Sequence, residues 1–309
     1  MSQQAAPTGA DQKPAATARK PESRIGKLRF RLSKTKLRVP MQWLRHRGFR
    51  PADMFFSTYP RSGTTWTRFT MFEILTGESA TFESVNSVML GVGAHDRARA
   101  VLPGGGRLIG THESYRREYK RAVYLVRDVR DVILSEYAFI TALDRFHGSL
   151  DDFIRDFFRG RINGFGAWPR HVTSWLDSPI AGTPNLLVLK YEDLRQDPEA
   201  TFKRMLDFAA MKREPEAVRQ AIANNSLEKM REKEIDSPRK ASVRGRFVRT
   251  GQVQGWKGKL SDEQLRVIEA KAGEVLVRMG YPLVADSRSA ASAQVAPEDA
   301  MAGNLRGSA

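Results

Sequence analysis

The residues with the clearest chemistry run Tyr59-Pro60-Arg61-Ser62-Gly63-Thr64-Thr65-Trp66. A Gly-containing turn between a strand and a helix aims several backbone N–H groups and the positive end of the helix dipole at one point, which makes an anion site. Arg61 adds a fixed charge, and Thr64 and Thr65 add hydroxyl donors. The octet is not a Walker A loop, because it lacks G-x-x-x-x-G-K-[ST] and with it the Lys-Ser/Thr pair that grips the outer phosphates and Mg²⁺. It is expected to hold a phosphate without a metal. Taken alone, the octet could equally be an ordinary Ser-Gly-Thr helix cap. A second stretch with a cation at a strand end is Tyr124-Leu125-Val126-Arg127-Asp128-Val129-Arg130-Asp131-Val132-Ile133-Leu134-Ser135. There Arg127, at the carboxyl end of a strand, can fork onto a phosphate, with Ser135 two helical turns further on. A plain amphipathic helix would account for Arg130 and Asp131 but not for that joint spacing. His112, closing Arg107-Leu108-Ile109-Gly110-Thr111-His112, should emerge at the same sheet edge, where a neutral imidazole suits proton abstraction near pH 7. His46, His95, His147 and His171 lack motif context and are expected at the surface or in packing, with little weight on His95 facing an acceptor.

These groups need elements that bring them together. Short apolar runs alternate with longer helical patterns, which predicts an α/β fold, a three-layer α/β/α arrangement around a parallel, P-loop-like sheet. Strands are expected at 53–60, 107–112, 122–127 and 185–191. Helices are expected at 64–77, 129–143, 150–159, 163–177, 198–211, 214–224 and 261–279. Asp197-Pro198 and Ser261-Asp262 supply helix starts, and Gly280 a stop. Residues 1–24 and 286–309, rich in Ala, Pro, Gln, Ser and Thr, are expected to be disordered around a folded domain at 25–285.

Composition narrows the classes. The chain of 309 residues is long enough for a self-sufficient core, and with no Cys it has no disulfide, thiolate metal site or cysteine nucleophile. No His/Asp/Glu spacing resembles a zinc or two-metal site, so no metal is expected. No apolar run reaches the length of a membrane span, and residues 1–20 lack a signal-peptide core, which points to a cytoplasmic protein. The net charge of +16 is uneven: residues 1–50 hold 13 Lys or Arg against Asp11 and Glu22, leaving +5 for the other 259 residues. In that segment Leu28, Phe30 and Leu32 alternate with Arg29, Arg31 and Ser33, a pattern suited to an extended stretch on a surface. A solvated basic lead-in is the first reading, and contact with an anionic membrane surface a weaker one. A nucleic-acid partner is not expected, because it would leave the phosphate loop, Arg127 and Ser135 without a purpose.

The octet closely resembles the phosphosulfate-binding loop, Y-P-K-S-G-T-T-W, of the sulfotransferases that use 3′-phosphoadenosine 5′-phosphosulfate (PAPS), with Arg61 in place of the usual Lys. The 124–135 stretch looks like the family's 3′-phosphate element, with Arg127 and Ser135 at its binding positions. Phe247-Val248-Arg249-Thr250-Gly251-Gln252-Val253-Gln254-Gly255-Trp256-Lys257 is similar to the R-K-G-x-x-G-x-W loop that closes over the 3′-phosphate and adenine. Thr250 replaces the usual Lys, Gln254 a frequent Gly, and Arg249 and Gly251 remain. The resemblance, over roughly residues 50–282, implies a sulfotransferase that moves a sulfuryl group from PAPS to a hydroxyl or amine of a small-molecule, lipid or carbohydrate acceptor. Arg61, Ser62, Gly63, Thr64 and Thr65 would hold the 5′-phosphate and sulfonate, and Arg127, Ser135 and Arg249 the 3′-phosphate. Trp66 and Tyr191 would neighbour adenine, Tyr191 with nearly even odds of being plain core, and Ser226 and Leu227 sit where the family has further contacts. The catalytic pair would be His112 and Arg61. The family's K-T-H is here Gly110-Thr111-His112, so Arg61 is expected to carry more of the leaving-group charge. Glu113 ranks second as base, and is expected instead to hydrogen-bond and tune His112. Acceptor-pocket candidates are Phe82, Met89, Leu90, His95, Phe139, Phe146, Phe165 and Trp168. A P-loop kinase or hydrolase, and a PAPS-binding relative without turnover, are the alternatives, and a homodimer is the default assembly.

Overall fold

The computed structural model describes residues 38–237 and 251–284. The expected tails at 1–24 and 286–309, the alternating segment at 28–33, Arg249 and Thr250 all lie outside the described residues. The chain divides into two units, one ending at Arg45 and one beginning at His46. The first contributes helix α1 (Arg38–Arg45).

The second unit is built on a six-stranded sheet. Strands β1 (Met54–Thr58), β2 (Met89–Gly91), β4 (Gly106–Thr111), β5 (Ala122–Val126) and β6 (Leu186–Lys190) run in the order β2-β4-β1-β5-β6. All these neighbours are parallel, and short β3 (Ala100–Leu102) joins β4 antiparallel. Every residue of β1 and β5 is buried, which is why these segments read as unbroken apolar runs. Side-chain alternation sends Met54 and Phe56 into one core, with Phe69, Phe72, Leu108, Leu125 and Phe202. Phe55 enters the opposite core with Ile109, Tyr124, Phe153, Trp168 and Trp175. A sheet with an apolar layer on each face is the expected three-layer α/β/α fold.

The helices after β1 are α2 (Thr64–Thr76), α3 (Val129–Ala142), α4 (Leu150–Phe158), α5 (Trp168–Leu176), α6 (Tyr191–Gln196), α7 (Pro198–Phe208), α8 (Pro215–Asn224), α9 (Leu227–Ile235) and α10 (Asp262–Arg278). Three depart from expectation. The helix expected from 163 begins at Trp168, because Gly166 adopts φ +81° and Pro169 then seeds the first turn. Tyr191, expected at the end of a strand, opens α6. Helix α9, not foreseen, starts where the Ser226 hydroxyl accepts the Lys229 N–H, and its largely polar sequence hides it. The register pairs Phe56 with Gly110, Ser57 with Thr111 and with Tyr124, and Thr58 with Leu125. The carboxyl ends of β1, β4 and β5 are therefore level, and the residues following them, Tyr59 onward, His112 and Arg127, emerge side by side.

Candidate active site

After β1 the chain turns through Tyr59–Gly63 and enters α2 with Gly63 at φ +95°, so the helix start carries no side-chain cap. The Ser62 N–H bonds back to the Tyr59 carbonyl, and the first helical N–H groups are left for a ligand. Gly63 is required here twice over: its backbone is left-handed, and a Cβ would stand 2.5 Å from Cδ2 of Tyr191. Arg61 also has positive φ, +68°, a conformation that a non-glycine residue holds only when the surroundings impose it. One imposing contact is visible: Arg127 Nη1 donates to the Arg61 carbonyl at 3.0 Å. Arg127 Nη2 donates to the Gln252 carbonyl at 2.9 Å, so one guanidinium bridges the loop after β1 and the segment beginning at Gly251. Its buried Nε has no partner among the described residues.

The expected anion elements do meet. Arg61 Nε donates to Ser135 Oγ at 3.2 Å, and the Arg61 guanidinium lies 4.5 Å above the Phe139 ring. Arg61, Gly63, Thr64, Thr65, Trp66, His112, Arg127, Ser135, Tyr191 and Gly251 all line one cavity of about 420 Å³. Ser62 does not: its side chain is fully buried beneath the loop, with no partner for its hydroxyl among the described residues. Tyr191 has two placements at once. It is core, 4% exposed, and it also walls the cavity, donating its hydroxyl to the Gly251 carbonyl while Arg127 lies over its ring. Trp66 presents an edge to Phe202 and takes Arg195 over its face at 5.0 Å.

His112 is held in one tautomer. Its Nδ1 lies 2.8 Å from the Thr58 carbonyl oxygen, which can only accept, so Nδ1 carries the hydrogen and Nε2 keeps its lone pair. Thr58 Oγ1 is 3.1 Å from the same Nδ1 and 2.6 Å from Thr64 Oγ1, linking the imidazole to the start of α2. Burial pushes the His112 pKa down; the Thr58 hydrogen bond opposes this, and the Arg68 guanidinium adds to the lowering. The imidazole is thus neutral near pH 7, with its basic nitrogen uncommitted among the described residues.

Glu113 does not tune His112. Successive residues at a strand end point to opposite sides, and Glu113 accepts from Tyr119 Oη at 2.9 Å and meets His46 Nε2 at 2.8 Å. The backbone of His112 is held by His171, whose Nε2 lies 3.0 Å from the His112 carbonyl while its Nδ1 meets Tyr124 Oη at 3.0 Å. His46, His95 and His171 are buried packing residues, whereas His147 is exposed beside Asp144. Of the expected acceptor-pocket residues only Phe139 and Phe165 line the cavity, Phe165 edge-on to His112 at 5.4 Å between ring centres. Phe82, Met89 and Trp168 are committed to the two cores, and His95 packs on Phe49 and meets the Arg47 carbonyl.

The cavity also holds residues that sequence reasoning missed, among them Arg68, Arg195, Glu136, Asn163, Asn225 and Met230. Arg68 alone had a local signal, lying one helical turn beyond Thr64. Glu136 is 3% exposed, and its Oε2 has no partner among the described residues. Burial raises its pKa, opposed by the Arg61 charge. Among the described residues no group of three or more His, Asp or Glu could hold a metal ion, and no helix is long and apolar enough to cross a membrane.

The family model described as "Sulfotransferase domain" matches residues 105–280, more than half of the chain. The chain belongs to the sulfotransferase family. A flavonol 3-sulfotransferase of Flaveria bidentis is 27% identical over 266 residues, covering 75% of this chain and 84% of that protein. The fold is that of retinol dehydratase, solved in complex with androsterone and the inactive cofactor PAP, with a TM-score of 0.62 and 22% identity over 75% of this chain and 83% of that one. Mouse sulfotransferase SULT7A1, complexed with PAP, superposes with a TM-score of 0.60 at 18% identity over 82% and 93% of the two chains. This sulfotransferase therefore moves a sulfuryl group, and the cavity at the ends of β1, β4 and β5 is its candidate active site.

Proposed function

We propose that the protein transfers the sulfuryl group of PAPS to a hydroxyl or amine of a small-molecule, lipid or carbohydrate acceptor, with His112 as general base. The observation that carries this reading is the Nε2 of a neutral His112, uncommitted among the described residues, in the same cavity as Arg61, Arg127, Ser135 and the uncapped start of α2. The N–H groups of α2, Thr64, Thr65 and Arg61 receive the 5′-phosphate and stabilise the charge that grows on it as the bridging S–O bond breaks. Arg127 and Ser135 receive the 3′-phosphate, joined by Arg249. Trp66, Tyr191 and Gly251 frame the base. His112 Nε2 takes the acceptor proton, with Phe139 and Phe165 beside it to receive an apolar body. No metal takes part. The protein works in the cytoplasm as a single domain over about 25–285, as a homodimer, with the basic segment before it free to touch an anionic membrane surface.

Isothermal titration with 3′-phosphoadenosine 5′-phosphate (PAP), ATP and 5′-AMP tests the donor site. PAP should bind selectively, and Arg127→Ala should weaken PAP about a hundredfold, the loss of a charge-assisted contact of roughly 2–3 kcal/mol. Equal affinity for PAP and 5′-AMP would overturn the reading in favour of a kinase-like or general anion site.

A further inference from the structure

The cations of the cavity are not interchangeable. Arg127 spends both Nη groups on the carbonyls of Arg61 and Gln252, Arg61 turns its Nε to Ser135, and Arg195 lies over Trp66. These three belong to the walls made by the 59–66 loop, α3, α6 and the segment at 251. Arg68 stands on a different wall. It is the fifth residue of α2, one turn beyond Thr64 and on the same face as Thr64 and Thr65, all three lining the cavity with His112. Its Nη2 donates to Asn86 Oδ1 at 2.9 Å and to the Met89 carbonyl at 3.0 Å. Met89 begins β2, which runs alongside β4 in register Met89 with Leu108 and Gly91 with Gly110. A Cβ on Gly110 would meet Met89 Cγ at 3.5 Å. The Arg68 guanidinium is thus pinned to the strand flanking Gly110, while the cation of β4 itself, Arg107, lies toward the other end of that strand and is paired with Asp53.

We propose that Arg68 is the cation that contacts the sulfuryl group during transfer, replacing from helix α2 a charge that Gly110 cannot supply from the strand. The inference rests on the PAPS reading of the cavity. In the step, an O–S bond to the acceptor forms as the S–O bond to the 5′-phosphate breaks. The bonding pair leaves on the phosphate oxygen, and the acceptor proton passes to His112 Nε2. The sulfuryl oxygens are anionic throughout and need a positive partner on the His112 side, away from the phosphates held by Arg61 and Arg127. Arg68 also opposes protonation of His112, which a base cannot afford unless an anion lies between them; the sulfonate is that anion. Among the described residues the groups around the imidazole are Thr58 from β1, Thr64 from α2 through the Thr58 hydroxyl, Arg68 from α2, Phe165, and His171 from α5 through the His112 backbone carbonyl.

The test compares a ligand with the sulfonate and one without it. PAP and PAPS are titrated calorimetrically into proteins carrying His112→Ala, so that the donor is not consumed, with Arg68 intact, as Arg68→Lys, or as Arg68→Ala. Arg68→Ala should leave PAP affinity within about twofold and lower PAPS affinity by about tenfold, with Arg68→Lys recovering part of the loss. Equal losses for the two ligands would mean that Arg68 serves only to tie α2 to β2, and no loss for either would mean that it touches nothing on the donor; both outcomes overturn the proposal. If the protein with Arg68 intact bound neither ligand, the PAPS reading itself would fail. Should Arg68→Ala not fold, the Arg68→Lys comparison carries the same outcomes. With His112 present, its imidazole titration followed by NMR should move upward in Arg68→Ala, and PAPS should shrink the difference between the variants.

Discussion

Two histidines, one on each side of the His112 carbonyl, show what separates a reactive imidazole from a structural one. His171 is fully buried and uses both nitrogens, one with Tyr124 Oη and one with the carbonyl of His112. Among the described residues His112 uses only Nδ1, on Thr58, and its ring lines the cavity. Both pKa values are lowered chiefly by burial, His171 to about 4, so low basicity does not tell them apart. The difference is one uncommitted lone pair. His171 instead holds the His112 backbone and packs under Tyr59, whose ring it meets edge-on at 5.2 Å. One histidine is the candidate base, and the other is part of the scaffold that aims it.

The largest expected effect falls on His112. His112→Ala should lower turnover by about 10²–10⁴-fold, measured as sulfuryl transfer from PAPS to a panel of phenols, alkanols and sugars, while PAP affinity stays within about twofold. A comparable loss of PAP binding would make His112 a scaffold residue like its neighbour. Gly63→Ala, which drives a Cβ into Tyr191 and strains a left-handed backbone, should cost about 2–4 kcal/mol by denaturant unfolding and weaken PAP more than tenfold. Wild-type PAP affinity in that variant would deny that the loop geometry matters.

His171 should register in stability. Its folded pKa lies below the ordinary value near 6.5, so the fold favours the neutral ring. That contribution is complete above pH 6.5 and lost as pH falls toward about 4, in total about 3 kcal/mol. Wild type should therefore lose about that much more stability than His171→Phe between pH 7 and 4, even though His171→Phe starts about 2 kcal/mol lower at pH 7 for want of two buried hydrogen bonds. Parallel pH profiles for the two proteins would refute the assignment. For His112 the same sign applies to rate: the limb of kcat/KM reporting its protonation should lie below pH 6.5, so that activity persists in mildly acidic buffer. The smallest effect belongs to Glu113→Gln. It should leave kcat within about twofold and cost about 1 kcal/mol of stability, because its carboxylate serves His46 and Tyr119. A hundredfold loss of kcat would restore it as a base.

Legibility followed the range of the interaction that fixes each residue. The 59–66 loop and Arg127 could be placed because each sits at a strand-to-helix junction, and His112 because it ends a strand, where local spacing dictates geometry. Tyr191 was half legible: its burial followed from an apolar strand pattern, but its place against Gly63 and Gly251 depends on how α6 leaves the sheet. The acceptor candidates failed most often, since an aromatic such as Phe82 or Trp168 looks the same in sequence whether it fills a core or walls a cavity.

The sequence by itself determined the α/β layering, the order of the elements and the chemistry of the junction residues, because hydrophobic period, turn chemistry and helix starts act within a few residues. Tertiary structure alone decided the tautomer of His112, the pairing of Glu113 with His46, the seat of Arg68 against the Met89 carbonyl and the closing of Arg127 across the loop. Each of those rests on which backbone carbonyl or side chain is brought within about 3 Å by the sheet register. No periodicity along the chain encodes a contact between residues more than fifty positions apart.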